Sequence, residues 1–258
     1  MKPGRLSKLP LISCVMPTYG RPNYVDEAVA MFVQQDYPAK ELVILNDCPE
    51  QIFHSDRADV RVVNCDTRFP TLGEKRNVSI DIAQGELIAI WDDDDAYLPW
   101  RLSFSYAELN RFQTPFYRPD RFLVYFGQAE LRNVACLIEG ISNGGLLGTF
   151  NHSTVLFRKD LWKDAGGYPA RNDTSDRFFF ERIHACLGET FRNYPIRDDD
   201  AYSIMRFKSH YRHWSIPGGR FSLDTAPGDF CIEPRPIDDP VLRRAFRKHS
   251  EARMSRQP

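Results

Sequence analysis

The residues best placed to do chemistry are four consecutive aspartates, Asp92 to Asp95, which directly follow the apolar run Leu87–Trp91. Such a run is typical of a strand buried on both faces, and open α/β sheets bind ligands at the carboxyl ends of their strands. Two carboxylates about 4 Å apart repel by roughly 4 kcal/mol at an effective dielectric constant of ~20. The aspartates therefore predict a divalent cation, Mn²⁺ or Mg²⁺, which would join them to substrate phosphates. The alternative is a solvated acidic turn that caps the next helix.

The elements that must position these aspartates alternate between strands and helices. Apolar runs predict four strands in the first half of the chain, at Leu11–Pro17, Glu41–Asn46, Val60–Asn64 and Leu87–Trp91. We predict three helices between and after these strands. The first is capped by Asn23, and the third begins at Pro99. The second spans Glu74–Gln84, with Val78 and Ile82 facing inward and Gly85 just beyond its end. This order predicts an α/β fold with a mostly parallel central sheet and helices on both faces.

The second half of the chain has a less regular pattern. We predict strands at Phe122–Phe126, Arg132–Ile138, Thr154–Arg158 and Ala201–Phe207, a Gly-rich loop at Ile141–Thr149, and a helix at Ser175–Leu187. No linker separates the halves, so residues 1–258 are interpreted as one domain. Its parts are a regular first half (about 11–115), a less regular second half (about 116–240) and a basic tail (241–258).

Composition limits the class of protein. With 258 residues and a net charge of −1, the chain has no global field that would attract nucleic acid. Its six cysteines form no C-x-x-C pair, which favours reduced thiols and a cytoplasmic setting. No apolar stretch is long enough to span a membrane, and 1–10 lacks the apolar core of a signal peptide. The basic tail could contact anionic lipid, although a solvated terminal helix is the simpler interpretation.

Five ordered motifs resemble those of the family-2 glycosyltransferases. They are C-V-M-P-T-Y-G-R-P at Cys14–Pro22, E-L-V-I-L-N-D-C-P at Glu41–Pro49, G-E-K-R-N with A-Q-G-E-L-I inside Gly73–Ile88, W-D-D-D-D-A-Y-L-P-W-R-L at Trp91–Leu102, and G-G-Y at Gly166–Tyr168 followed by S-D-R-F-F-F-E-R at Ser175–Arg182. The chain departs from the pattern where Gly20 replaces the usual Asn, where Asn46 replaces the first Asp of the second strand, and where Ser175 replaces Glu.

The resemblance implies a GT-A fold, a nucleotide-sugar donor (a UDP-sugar is favoured), a glycan or other hydroxyl acceptor, a divalent cation, and inversion at the anomeric carbon. It implies that the first half (about 11–115) binds the nucleotide-sugar and that the second half (about 116–240) provides the acceptor side and the catalytic base. It also implies roles for individual residues. Asp94 matches the metal ligand and Asp176 the catalytic base. The donor nucleotide would be contacted by Pro17, Thr18, Tyr19, Asp47, Arg76, Asp92 and Asp93. His213, which lies three residues after His210, is a further candidate metal ligand.

The predicted reaction explains why two separate acidic groups are needed. A cation stabilises the negative charge on a departing diphosphate, and a carboxylate takes the proton of the attacking hydroxyl, which contributes ~10²–10⁴-fold. For inversion, the base must lie across the sugar from the leaving group, as in inverting glycoside hydrolysis. Asp94 and Asp176 fit this division.

Each assignment has a structural alternative. Asp176 could merely cap its helix, Arg76 could be solvated, and Asp47 could form a turn. Tyr19 could belong to the core, and His213 could be a surface or core histidine. A second acidic run at 198–200 is a rival metal site, although its position before a strand favours a solvated turn.

Two other functions remain open from the sequence. One is a sugar-phosphate nucleotidyltransferase, which is disfavoured because the loop T-Y-G-R-P after the first strand has only one glycine. The other is a non-catalytic module of the same fold that binds a nucleotide-sugar without turning it over.

Overall fold

The computed structural model describes residues 9–119, 122–125, 135–139, 152–173, 175–194, 204–207 and 231–234. The strands are β1 Ile12–Thr18, β2 Lys40–Asn46, β3 Val60–Asn64, β4 Leu87–Ile90, β5 Asp95–Tyr97, β6 Phe116–Tyr117, β7 Phe122–Tyr125, β8 Ala135–Glu139, β9 Leu156–Arg158, β10 Ile204–Phe207 and β11 Cys231–Pro234. The helices are α1 Pro22–Val33, α2 Leu72–Asp81, α3 Arg101–Arg111, α4 Lys159–Asp164 and α5 Ser175–Leu187.

The main sheet has the strand order β3-β2-β1-β4-β9-β6. The first four strands are parallel, as predicted, and β9 pairs antiparallel with both β4 and β6. Strands β1 and β4 are adjacent although two helices and two strands separate them in sequence, which makes this junction the crossover point of the sheet. Ligands bind at such points in open α/β folds.

Alternate residues of the central strands belong to two separate hydrophobic cores, one on each face of the sheet. Cys14 and Met16 of β1 pack on one face with helices α1 and α3, whereas Val15 packs on the other face with α2, α4 and α5. This follows from the two-residue repeat of a strand. The predicted arrangement of helices on both faces is therefore confirmed, and the fully buried β4 shows why its sequence has no polar alternation.

A second, five-stranded sheet has the order β11-β8-β7-β10-β5. Its edge strand β5 begins at Asp95, so the run of aspartates forms the connection between the two sheets. The strands of this sheet were mostly predicted one by one, but their pairing was not, because non-local pairing leaves no local sequence pattern. The 231–234 strand falls in a proline-containing region for which the sequence predicted no element.

Two local predictions about helix ends are wrong. Helix α1 begins at Pro22 with Arg21 as its cap, because a proline at the first position needs no N–H partner, and Asn23 lies inside the helix. Gly85 is not the left-handed residue that ends α2. It is required because a Cβ there would lie 2.5 Å from Ser13 Oγ.

Helix α2 is also rotated relative to the prediction. It begins after Thr71, whose hydroxyl accepts a hydrogen bond from the Glu74 N–H at 3.2 Å. Val78, predicted inward, is 36% exposed, whereas Gly73 and Lys75 are buried. The helix turns this small and polar face to the sheet edge and to the segment before α5. Near its end, Ile80 is buried in the core, and Ile82, predicted inward, packs against that core.

Among the residues that the structure describes, no helix is both long enough and apolar enough to cross a bilayer. The tail at 241–258, the Gly-rich stretch at 141–149 and the acidic run at 198–200 lie outside the described residues.

We expect Gly73→Ala to destabilise the protein even though alanine favours helix. The new Cβ would lie 1.8 Å from the Pro169 carbonyl oxygen, so the backbone of one segment must move. Forced repacking of this kind costs about 1–3 kcal/mol, measurable by urea unfolding. Val78→Ala, at an exposed position of the same helix, is the control. A Gly73→Ala protein as stable as the wild type would contradict the close packing of α2.

Candidate functional site

The carboxyl ends of β1, β2 and β4 bring together side chains that are distant in sequence. The Thr18 hydroxyl donates a hydrogen bond to Asp93 Oδ2 at 2.6 Å, and Lys75 Nζ donates to the Thr18 carbonyl at 2.6 Å and also to the Asp47 carboxylate. Thr18, Asp47 and Asp93, which stand at or just after the ends of three parallel strands, thus meet at one edge of the sheet.

The four aspartates are not equivalent. Asp93 and Asp95 are buried, whereas Asp92 and Asp94 are partly exposed. The Asp92 carbonyl accepts hydrogen bonds from the Tyr97 hydroxyl at 3.2 Å and from the Asp95 N–H, which fixes the turn. Only the two exposed carboxylates can therefore face a ligand without rearrangement of the turn.

Arg21 is the counter-charge of this acidic turn. Its Nη1 lies 3.1 Å from Asp93 Oδ1 and 2.9 Å from Asp94 Oδ2, so one guanidinium bridges two neighbouring carboxylates. Burial raises the pKa of Asp93 to about 7, and the Asp94 carboxylate adds to the rise, while Arg21 and the Thr18 hydroxyl oppose it. The resemblance did not identify Arg21 as a site residue, although a cation beside four carboxylates is expected on electrostatic grounds.

Lys75 is the second site residue that sequence reasoning missed. Its ammonium and the Asp47 carboxylate are both buried and form an ion pair. Burial lowers the pKa of Lys75, while the hydrogen bond and charge of Asp47 oppose that shift. The other Asp47 oxygen accepts the Phe69 N–H at 2.9 Å, so both oxygens already have partners in the protein. The feature of the sequence that could have identified Lys75 as a site residue is the presence of a lysine on the inward face of α2.

We expect Lys75→Met to be strongly destabilising because it leaves the Asp47 carboxylate buried without its cation. Breaking one partner of a buried pair typically costs about 3–5 kcal/mol, which a urea-unfolding series would resolve. The double variant Lys75→Met/Asp47→Asn removes both charges and should recover most of the loss. A double variant as unstable as the single one would show that the packing of the lysine stem, not the ion pair, stabilises this edge.

Tyr19 lies on the surface of this site. It is 36% exposed, and the Arg68 guanidinium stacks over its ring at 4.2 Å from the centroid. The alternative that Tyr19 belongs to the core is therefore wrong. Pro17, two residues earlier, is partly exposed near the end of β1. The contacts of both residues with a nucleotide remain predictions.

A second group of predicted residues lies at the start of α5. Asp176 is partly exposed, and its carboxylate accepts the Arg177 N–H at 3.0 Å. Arg76 of α2 donates from Nη1 to Ser175 Oγ at 2.9 Å. His152 is buried, and its Nε2 lies 2.8 Å from the Tyr168 hydroxyl oxygen.

The acidic turn is the candidate site for a divalent cation. The described residues contain no cluster of three or more His, Cys, Asp or Glu side chains that would enclose a metal. Mg²⁺ at nucleotide sites typically needs only one or two carboxylates, with phosphates and water completing its shell. The partly exposed Asp92 and Asp94 fit that arrangement, whereas His213 lies outside the described residues.

Comparison with known proteins gives a family match over part of the chain. Residues 13–115, less than half of the chain, match the model described as Glycosyl transferase family 2. The chain also has the fold of solved GT-A structures, as the sequence motifs implied.

Two curated relatives illustrate the range of the match. The putative colanic acid biosynthesis glycosyl transferase WcaA of Escherichia coli is 36% identical over 112 residues, which cover 41% of this chain and 40% of WcaA. The O-antigen biosynthesis glycosyltransferase WbnJ of Escherichia coli is 25% identical over 223 residues, covering 74% of this chain and 81% of WbnJ. The strongest sequence matches thus span less than half of the relative's length.

Among solved structures, Staphylococcus aureus TarS 1–349 in complex with UDP-GlcNAc has the same fold. Its TM-score is 0.58 at 19% identity, and the match covers 79% of this chain and 60% of TarS 1–349. The complex of the same fragment with UDP has a TM-score of 0.56.

Proposed function

We propose that the protein transfers a sugar from a nucleoside-diphosphate donor to a hydroxyl acceptor, with inversion at the anomeric carbon and with a divalent cation. The observation that carries this proposal is the joining of Thr18, Asp47 and Asp93 at the crossover edge of a family-2 domain. The UDP and UDP-GlcNAc complexes of TarS support a UDP-sugar as donor. The names of WcaA and WbnJ support a glycan as acceptor.

In this proposal the donor nucleotide lies over the carboxyl ends of β1 and β4. Pro17, Thr18 and Tyr19 form one side of its pocket and Asp92 forms the other, while the buried Asp93 supports the pocket through its hydrogen bond with the Thr18 hydroxyl. Asp47 contributes to donor binding mainly by fixing Lys75 against the Thr18 carbonyl, because both of its oxygens are already used. The nucleotide therefore meets a surface that is ordered before it binds, which lowers the entropy cost of binding.

Asp94, with Asp92 beside it, would hold Mn²⁺ or Mg²⁺. A cation at this position supplies Lewis-acid stabilisation of the charge on the departing diphosphate. Arg21 would share Asp94 with that cation, and its guanidinium offsets part of the negative charge of the turn when no cation is bound.

Asp176 is the proposed general base. Its carboxylate lies on the first turn of α5, apart from the acidic turn in sequence, and it is accessible to an acceptor hydroxyl. Taking up the proton of that hydroxyl as it attacks is the step that Asp176 would perform.

We also propose a cytoplasmic location. Cys14, Cys48, Cys65 and Cys186 are all free thiols, which fits a reducing compartment.

Asp176→Asn should lose transfer but keep the donor. Without the base, kcat should fall by ~10²–10⁴-fold, whereas the Kd of UDP measured calorimetrically with Mn²⁺ should not change. Asp173→Asn is the matched control, because Asp173 is an exposed aspartate three residues earlier. A wild type that binds UDP but turns over no nucleotide-sugar would support the non-catalytic module instead.

Asp94→Asn should abolish the dependence of UDP binding on Mn²⁺. Loss of a direct ligand should cost at least the ~10–100-fold in affinity that loss of an outer-shell partner typically costs. Titration of UDP with and without Mn²⁺ measures this, with the exposed Asp81→Asn as control. Unchanged Mn²⁺ dependence in Asp94→Asn would place the cation elsewhere.

A further inference from the structure

The first half of α2 is fastened to the segment that leads into α5. We call these contacts the α2 clasp: they join Leu72–Asn77 to residues 166–173 and to Ser175. The Asn77 side chain donates to the Tyr168 carbonyl at 2.8 Å and accepts the Tyr168 N–H at 2.8 Å. The Leu72 N–H donates to Asn172 Oδ1 at 2.9 Å. Two segments that lie about a hundred residues apart therefore form one unit.

The clasp leaves little room for adjustment. A Cβ on Gly73 would lie 1.8 Å from the Pro169 carbonyl oxygen, and a Cβ on Gly167 would lie 2.7 Å from Asn77 Oδ1. Backbone packed this closely cannot shift without breaking contacts on both sides. The position of one segment therefore fixes the position of the other.

Arg76 extends the clasp to the first residue of α5. Its Nη1 donates to Ser175 Oγ at 2.9 Å, and Ser175 is buried. The Arg76 guanidinium also lies 5.5 Å from the centroid of the Tyr168 ring. Since Ser175 directly precedes Asp176, the hydrogen bond from Arg76 ends one residue from the proposed base.

Tyr168 also packs against helix α5. Its ring stacks on Phe179 of α5 at 4.0 Å between centroids. Burial raises the pKa of Tyr168; Arg76 opposes the rise, and the carboxylates of Asp176 and Asp92 add to it.

We propose that Arg76 is a positioning residue, which acts on the proposed base Asp176 through Ser175 rather than by binding the donor. This inference rests on the proposed function. A general base must reach its proton within about 2.6–3.2 Å, and a misplacement of 1 Å can cost ~10²-fold in rate. The short side chain of Ser175 allows the Arg76 guanidinium to hold the helix at the residue where displacement would matter most.

The test uses Arg76→Gln, Ser175→Ala and the double variant in the full chain. Both single variants should lower kcat by up to ~10²-fold while the donor KM and the Kd of UDP with Mn²⁺ stay within about twofold of wild type. The double variant should be no worse than either single variant, because both break the same link. Arg177→Gln, an exposed arginine on α5, is the matched control. Arg76→Lys, which keeps the charge, should restore part of kcat.

Other outcomes would overturn the proposal. If Arg76→Gln weakened UDP binding while Ser175→Ala kept the wild-type kcat, Arg76 would be a donor contact. If both variants kept the wild-type kcat, the link would have no part in catalysis. Should Arg76→Gln fail to fold, Ser175→Ala and Arg76→Lys carry the same comparison.

Failure of the proposed function is distinguishable from failure of this inference. A wild type that turned over no nucleotide-sugar would contradict the proposed function only. The hydrogen bond between Arg76 and Ser175 would then be tested by hydrogen exchange over residues 166–178, in every peptide that contains Ser175. Faster exchange in Ser175→Ala than in Arg177→Gln would support the link, and equal exchange would overturn it.

Discussion

The buried ion pair between Lys75 and Asp47 is the interaction on which the rest of the site depends. Two opposite charges out of water are stable only if their geometry is good and their remaining hydrogen bonds are satisfied. Here the Thr18 carbonyl and the Phe69 N–H satisfy them. The pair therefore ties β1, β2, α2 and the loop before α2 to one another at the sheet edge where a ligand would bind.

The same constraint extends to both sides of this edge. Toward β4, the Thr18 hydroxyl fixes Asp93, and Arg21 forms ion pairs with both Asp93 and Asp94. Toward α5, helix α2 carries Asn77 and Arg76, which fasten the segment that leads to Asp176. One short helix thus connects the acidic turn with the segment that leads to the proposed base.

The division of the aspartates shows how the structure refines a sequence motif. In the sequence the four carboxylates are equivalent, and their mutual repulsion predicts a cation for all of them. In the structure Asp93 is satisfied by Thr18 and Arg21, and Asp95 opens a strand of the second sheet. Only Asp92 and Asp94 are partly exposed, so a cation would be held by a pair rather than by a cluster.

The sequence by itself determined the parallel half of the main sheet, the helices on both of its faces, the span of α5 and the resemblance to family-2 glycosyltransferases. These features depend on hydrophobic periodicity and on ordered motifs, which are local. Only the tertiary structure decided the cap of α1, the inward face of α2, the pairing of the second sheet, and the partners Arg21 and Lys75. Those depend on what packs against each segment from elsewhere in the chain. For example, glycine is required at position 85 because Ser13 packs against it, and at position 73 because Pro169 does. The local sequence around a residue does not predict such long-range contacts.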